Sequence, residues 1–569
     1  MELNGARIII EALIEQGCDT VFGYPGGQVL NIFDELYNSK DRITHIITAH
    51  EQGASHAADG YARASGRPGV VIATSGPGST NLVTGLATAY LDSIPVVAIT
   101  GNVPCSLLGL DSFQEVNITD ITRTVTKRNW IVKDVTELAD TIREAFRTAV
   151  SGRPGPVLID VPKDVQVNKC EFTPMGNAGK TPVPEADKEA LRRAAELINE
   201  SSRPYLYFGG GVICANAEDE ILELSSKADT AIGCSLMGLS AIPYDTPRFL
   251  GMQGMHGHYA SSKAADEADL LIAVGVRFSD RATGNKVRFN KNFKVIHIDV
   301  DDKEFNKNIP AEVAVKGDIK ETLSRLNELI DPGTHTEWIG RLTELKQLEE
   351  TYTEQAMNNT PEGVLNPYRI IDIVSRFSKG LPVATDVGQH QMWTAQRFPF
   401  DTKRTFLTSG GLGTMGYGMG AAIGASKATG KRAVLFTGDG SFGMNLNELA
   451  TSVTKKIPLV IVIMNNGVLG MVRQWQTLFY SEHYSETTLD RPTDFPALAK
   501  AFGAKGARVF TEDQLELACM EAFSFDGTFI IDCAVDCDEF VLPMLPPGGS
   551  IDDIITTKKH KGEHITCLH

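Results

Sequence analysis

Runs of branched apolar residues, most of them bounded by glycine or proline, recur along this chain and are separated by helix-like stretches. GVVIATSG (69–76), PVVAITG (95–101) and GPVLIDVP (155–162) come first. YLYFGGGV (205–212), DLLIAVGVRF (269–278) and FKVIHIDVD (293–301) follow, then PVATDVG (382–388), RAVLFTGDG (432–440) and LVIVIMNNG (459–467). A strand with one wet face alternates polar and apolar residues. A continuous apolar run has both faces covered, which points to parallel strands between layers of helices. The chain is therefore expected to be α/β, built as three doubly wound domains with mainly parallel sheets.

Its 569 residues exceed what one hydrophobic core can hold, and that length suggests about three to four domains. Two stretches break the alternation. FTPMGNAGKTPVPEADKE (172–189) is rich in proline, glycine and polar residues, and the turn-rich NNTPEGVLNPY (358–368) follows a charged, helix-like stretch around 337–356. These joints give expected domains at 1–172, 187–335 and 366–545, with a tail at 546–569. The segment VLPMLPPGGSIDDII (541–555) reads as too proline-rich for a core and is expected to wrap over the surface.

A formal charge of −17 argues against nucleic acid or an anionic membrane as the main partner. An anionic cofactor is still compatible, because helix N-termini, backbone amides and metal ions supply local positive potential. Nine dispersed cysteines without a CxxC pair read as reduced thiols. The opening MELNGARIIIEALIEQG has helical apolar spacing through Ile9, Leu13 and Ile14 and no signal-peptide pattern. No apolar run reaches the length of a membrane span. A cytoplasmic location is expected.

The strongest chemical signal is GDGSFGMNLNELATSVTKKIPLVIVIMNN, residues 438–466. One apolar strand delivers Gly438-Asp439-Gly440 to a turn, and a second delivers Asn465-Asn466, with Asp439 and Asn466 separated by 466 − 439 = 27 positions. Strand, crossover helix and strand bring both turns to the same carboxyl edge of a sheet. A carboxylate and an amide oxygen there, completed by waters and phosphate oxygens, suit Mg²⁺. Separately, each turn would be an ordinary strand end; their combination at this spacing is what makes the metal reading. A second candidate is Glu51, in ITAHEQGASHAADGYARASG (47–66), which follows the apolar run ITHII and opens an alanine-rich helix. A glutamate at a helix N-terminus is common on macrodipole grounds alone. If it is buried at that sheet edge, its pKa is expected to rise.

The 438–466 block resembles the diphosphate-binding motif of thiamine-diphosphate enzymes, a GDG followed at a set interval by NN. The resemblance implies a metal held by Asp439, Asn466 and the backbone carbonyl of Val468. It implies diphosphate contacts from Gln389 and His390 in DVGQHQMW, and from Gly413, Gly438, Gly440 and Ser441. Glu51 matches the glutamate that hydrogen-bonds the cofactor's aminopyrimidine, and TSGPGSTN (74–81) resembles the pyrimidine-side loop. Gly26, Gly27, Pro77 and Asn81 would line that side. Because Glu51 and Asp439 fall in different domains, the resemblance implies a homodimer or homotetramer with active sites at the subunit interface.

Over essentially the whole chain the sequence is similar to the catalytic (large) subunits of acetohydroxyacid (acetolactate) synthases. FGYPGG (22–27), TSGPG (74–78), SFQE (112–115), SGRPGPVLIDVPKDVQ (151–166), RFSDRATGN (277–285), SGGLGTMGYG (409–418) and GMVRQWQ (470–476) carry the likeness. The implied reaction decarboxylates pyruvate and transfers a hydroxyethyl unit to a second pyruvate or to 2-oxobutyrate, the first common step of branched-chain amino acid biosynthesis. Met415 would hold the bent cofactor from beneath, Arg281 would pair with the carboxylate of the second 2-oxo acid, and Trp475 with Met471 would shape the pocket for its alkyl group. Phe113 and Gln114 would border the pocket from the partner subunit. The resemblance further implies a structural FAD, touched by Arg153, His256, Gly275, Arg277, Asp299 and Asp318. A small regulatory subunit is a further family expectation. The sequence departs from the family at Ser279, at Gly443 and in GNVP (101–104), and the segment 117–130 is unusual near the substrate channel. Rival readings are a flavin-free catabolic acetolactate synthase, a pyruvate oxidase, and a non-catalytic subunit that keeps the fold.

Overall fold

A computed structural model describes residues 1–289 and 293–557. The first domain contains β1 (Glu2–Asn4), β2 (Thr20–Tyr24), β3 (Thr44–Ile47), β4 (Gly69–Ala73), β5 (Val96–Asn102), β6 (Arg128–Ile131), β7 (Val157–Pro162) and β8 (Lys169–Glu171). Its parallel sheet has the order β3-β2-β4-β5-β7-β6, while β1 and β8 pair antiparallel and tie the domain's two ends together. The middle domain contributes β9 (Pro204–Phe208), β10 (Ala231–Cys234), β11 (Phe249–Met252), β12 (Leu270–Val274), β13 (Lys294–Asp299) and β14 (Val313–Lys316), ordered β11-β10-β9-β12-β13-β14. The third contributes β15 (Val383–Thr385), β16 (Phe406–Leu407), β17 (Ala433–Gly438), β18 (Leu459–Asn465), β19 (Lys505–Val509) and β20 (Phe529–Ala534), ordered β16-β15-β17-β18-β20-β19. The fold is thus three α/β domains, each around a six-stranded parallel sheet.

The continuous apolar runs explain this directly. Every residue of β4, β5, β7, β9 and β12 is buried, as two-sided coverage by helices requires. Several runs continue past the carboxyl ends of their strands. YLYFGGGV leaves the sheet at Phe208, and Gly210–Ala215 turns into a short helix. The glycines there are loop and helix-start residues, because the chain departs from the sheet to form its ligand edge.

Counted in chain order, the parallel sheets of the first and third domains share one strand order, second-first-third-fourth-sixth-fifth. The sequence shows no close repeat to announce this. The middle sheet runs third-second-first-fourth-fifth-sixth, the order of dinucleotide-binding domains. In such sheets ligands bind outside the carboxyl ends of the strands where the order reverses. The reversals fall between β2 and β4, between β9 and β12, and between β15 and β17.

The first and third domains meet along the helices Glu51–Ser65 and Tyr417–Thr429. A Cβ at Gly424 would lie 1.9 Å from the Ala57 carbonyl oxygen, and one at Gly60 would lie 2.3 Å from that of Ala421. Glycine and alanine let the two backbones touch. The stretch 172–187 carries no regular element, and the helix Thr336–Asn358 follows the middle sheet.

The segment 541–555 is more than a surface wrap. Val541, Met544 and Ile555 are buried, and the Gln474 side chain bonds both the amide (2.9 Å) and the carbonyl (3.1 Å) of Val541. The Leu545 amide donates to the Met255 carbonyl at 2.7 Å. Proline removes backbone donors but does not prevent burial, and the apolar residues between the prolines anchor this arm. Residues 558–569 of the expected tail lie outside the described residues. No helix among the described residues is long and apolar enough to cross a membrane.

Candidate active site

A cavity of about 1270 Å³ opens at the carboxyl edges of the middle and third sheets. One wall of it comes from the 438–466 block. β17 and β18 pair in parallel with Gly438 opposite Met464, so the turns after them emerge side by side. Asp439 opens the helix Asp439–Asn445, and Asn466 follows β18 directly. The Asp439 carboxyl is pushed up to about 6, chiefly by burial, against backbone amides that lower it. Its Oδ1 is buried and has no hydrogen-bond partner among the described residues. A carboxylate oxygen left unpaired inside a protein is costly and calls for a cation or a proton. The Asn466 Oδ1 accepts from the Val468 amide at 3.2 Å. Asp439, Asn466 and the Val468 carbonyl therefore offer only hard oxygen donors, a set that fits Mg²⁺.

Around this wall the third domain supplies a cradle for an anion. His390 is held neutral, its pKa lowered to about 3 by burial, and its buried Nε2 has no partner among the described residues. A Cβ on Gly438 would come within 3.1 Å of the His390 Nδ1. The Gln389 side chain is already engaged: it donates to Gln474 (3.1 Å) and to the Glu539 carbonyl (2.7 Å), and accepts from the Asn466 amide (3.2 Å). It orients Asn466 rather than offering a free group to a ligand. The Ser441 hydroxyl donates to the Val387 carbonyl at 3.0 Å. Gly440, Gly413 (φ +71°) and Met415 line the same cavity.

At the mouth, the Arg281 guanidinium lies 5.5 Å from the Trp475 ring centroid, and its Nη1 reaches the Met255 sulfur at 3.4 Å. Its side chain is 60% exposed, and Met471 lines the adjoining wall. The far end of the cavity is the reversal point of the middle sheet. Gly275 has φ +59°, and its backbone approaches Gly211 too closely for either to carry a side chain. Arg277 has no ion-pair partner among the described residues, and burial beside the charge of Arg153 lowers its pKa. Arg153 donates to Ser93 and to Glu304, both at 2.8 Å. Burial pushes Asp299 up to about 7, with Glu304 and Asp301 adding to the rise. The His256 Nδ1 is buried and partnerless, and Asp318 caps the helix Ile319–Leu329. An unpaired cation, an orphaned ring nitrogen and a glycine-lined reversal point fit a dinucleotide.

The remaining expected residues gather elsewhere. None of Gly26, Gly27, Glu51, Pro77, Asn81, Phe113 and Gln114 lines this cavity. They cluster at the reversal point of the first sheet. The Asn81 amide donates to the Glu51 Oε2 at 3.0 Å, and a Cβ on Gly78 would lie 3.3 Å from the Glu51 Oε1. A Cβ on Gly26 would meet Thr74 at 2.5 Å, and one on Gly76 would meet the Gln114 carbonyl at 2.9 Å. Glu51 is half-buried rather than enclosed, and Phe113 is 85% exposed. One chain thus presents two half-sites.

Sequence reasoning missed three carboxylates. Glu448 is fully buried in the third domain and accepts from the amides of Ala49 (3.1 Å) and His50 (3.0 Å), fixing the turn that presents Glu51. Burial raises its pKa. Glu304 anchors Arg153, and Asp92 contacts the loop before Met415. Only their positions close to matched motifs could have marked them.

These halves coincide with known sequence families. Residues 3–121 match the thiamine pyrophosphate enzyme N-terminal TPP binding domain, 191–326 its central domain and 386–533 its C-terminal TPP binding domain. The acetolactate synthase isozyme 2 large subunit of Escherichia coli (strain K12) is 43% identical over 97% of this chain and 99% of its own length. A probable acetolactate synthase large subunit of Methanocaldococcus jannaschii is 43% identical over 97% of this chain and 95% of its own. The mitochondrial acetolactate synthase catalytic subunit of Saccharomyces cerevisiae is 42% identical over 97% of this chain and 84% of its own. With three matching domains and whole-chain likeness on this scale, the chain belongs to the acetolactate synthase large-subunit family of thiamine pyrophosphate enzymes.

Proposed function

We propose that this chain is the catalytic subunit of an acetolactate synthase. It converts two molecules of pyruvate to 2-acetolactate, or pyruvate and 2-oxobutyrate to 2-aceto-2-hydroxybutyrate, at the start of branched-chain amino acid synthesis. The observation that carries this reading is a single cavity with hard-oxygen donors at Asp439 and Asn466 on one wall and the exposed cation Arg281 beside Trp475 at its mouth. Such a cavity holds a metal-bound diphosphate inside and a 2-oxo acid outside it.

Bound thiamine diphosphate supplies the electron sink for decarboxylation. The chain's own residues do the rest. Asp439, Asn466 and the Val468 carbonyl hold Mg²⁺, while His390, Gly438, Gly440 and Ser441 border the diphosphate and Gln389 steadies Asn466. Met415 and Gly413 support the ring system from beneath. Arg281 takes the acceptor's carboxylate with its planar fork, and Trp475 and Met471 select its alkyl group. Glu51 would hold the aminopyrimidine of the bound cofactor by a hydrogen bond, flanked by Gly26, Gly27, Pro77 and Asn81. Phe113 and Gln114 shield the reacting atoms from water.

Because the two half-sites lie apart in one chain, the working unit is at least a homodimer in which each site takes its Glu51 half from the partner. The strand order of the middle sheet and the unpaired Arg277 support FAD between Arg153, His256, Gly275, Asp299 and Asp318, as a structural group, since the net reaction moves no electrons to it. The domain limits 1–172, 187–335 and 366–545 and a separate small regulatory subunit belong to the same reading. Purified protein given pyruvate, thiamine diphosphate and Mg²⁺ forms acetolactate and carries a flavin absorption band. Hydrogen peroxide in place of acetolactate would make the chain an oxidase and sink the proposal.

A further inference from the structure

We infer that Asp92 is a positioning residue that sets the loop carrying Met415 beneath the proposed cofactor; the inference rests on the functional reading above. Asp92 ends the helix Val83–Asp92 of the first domain, and its side chain is fully buried. Its Oδ1 accepts from the Gly411 amide at 2.7 Å, and its Oδ2 accepts from the Gly410 amide at 3.1 Å and from Arg63 at 2.9 Å. One carboxylate thus captures two successive backbone amides, a charge-assisted arrangement about twice as strong as neutral hydrogen bonding.

Gly411 leaves the room this approach needs, and Gly410 packs against Met237 beside it. A Cβ on Gly411 would lie 2.9 Å from the Asp92 Oδ1, and one on Gly410 would lie 2.4 Å from the Met237 sulfur. One helical turn before Asp92, the Thr88 hydroxyl meets the Thr414 hydroxyl at 2.7 Å. Beyond Met415, the Tyr417 hydroxyl donates to Asp59 at 2.6 Å, and Asp59 also takes Arg63. The first domain therefore grips this loop of the third domain before, beside and after Met415. Ser93, next in the chain, accepts from Arg153 at 2.8 Å. The corner formed by Asp92 and Ser93 joins the loop to the nucleotide end of the same cavity, which Asp92, Ser93, Arg153, Gly410, Gly411 and Met415 all line.

An ion pair that served stability alone would be satisfied by Arg63 and Asp59. The two amide bonds to Gly410 and Gly411 add placement of the loop.

The test compares wild type, Asp92→Asn and Thr88→Val as full-length protein with thiamine diphosphate and Mg²⁺. Asparagine keeps the volume of Asp92 but can accept from only one of the two amides. Thr88→Val severs the second tether without touching a charge, and keeps the question answerable if Asp92→Asn does not fold. Three readouts are taken: hydrogen exchange at the 410–415 amides without cofactor, the near-ultraviolet circular dichroism of bound cofactor, and kcat and KM for pyruvate. The expected result for Asp92→Asn is faster exchange at the loop, an altered dichroic band, and kcat down on the order of 100-fold from misplacement, with KM within about twofold. Thr88→Val moves the same three readouts in the same direction by less. Unchanged loop exchange and an unchanged dichroic band in both variants overturn the inference, as does a fall in stability alone. A wild type that binds no thiamine diphosphate overturns the functional reading, and this one with it.

Discussion

Glu51→Gln and Asp439→Asn disable opposite halves of the site, and mixing them tests whether the halves come from different chains. Neither change should disturb folding. Glutamine retains an oxygen for the Asn81 amide, which now donates to Glu51 at 3.0 Å. Asparagine at 439 replaces a carboxylate whose Oδ1 has no partner, so removing that buried charge is neutral or stabilising. Each homodimer loses the Glu51 carboxylate or metal binding at both sites, and loss of the acid–base group alone lowers kcat by about 10²- to 10⁴-fold. In a mixed dimer, one site combines both lesions and the other has neither. Random pairing of equal amounts makes half the dimers mixed, so about a quarter of all sites regain full activity, and a purified mixed dimer has about half the wild-type kcat. Co-expression with two different tags, tandem purification and an acetolactate assay measure this. Mixed dimers no more active than their parents would falsify the two-chain site.

Three further outcomes follow from local geometry. Asp160 is buried, bonded to Thr100 (2.7 Å) and Asn102 (2.6 Å), and pushed up to about 7 by burial from its ordinary value of 3.8. Between those values the folded chain keeps a proton the unfolded chain has released, so this group's contribution falls as pH rises through about 4 to 7, by at most ~4 kcal/mol; Asp160→Asn should flatten that part of the thermal-midpoint profile, and an unchanged profile would count against it. Gly424→Ala places a Cβ 1.9 Å from the Ala57 carbonyl oxygen and should lower stability by about 1–3 kcal/mol, read as the urea midpoint. Arg277→Ala should weaken flavin binding at least about tenfold, seen as lost absorbance in the purified protein; full retention of flavin would exclude Arg277 from the site.

The three-sheet architecture was legible because a buried parallel strand leaves an unmistakable mark: β5 and β9 are apolar runs that nothing but two-sided burial explains. Strand order was not legible. Which of two adjacent runs sits on which side of β15 depends on crossover packing, to which no short pattern answers, so the shared order of the first and third sheets emerged only in three dimensions. Glycines at the sheet edges were legible as places of close backbone approach, as at Gly438 and Gly275. Glu448 and Asp92 escaped notice because their partners are backbone amides on remote segments, and a backbone amide has no residue identity to pair with in the sequence. The arm at 541–555 was misjudged because its prolines were weighed above the buried Val541 and Met544.

The seam between Glu51–Ser65 and Tyr417–Thr429 has one more implication. Where long side chains meet, rotamers can be exchanged and helices can slide by small steps. Here carbonyl oxygens of Ala57 and Ala421 rest directly on glycine, which leaves nothing to re-set. The two thiamine-type domains are therefore locked together at backbone contact, and adjustment at the cavity rim is left to side chains such as the exposed Arg281.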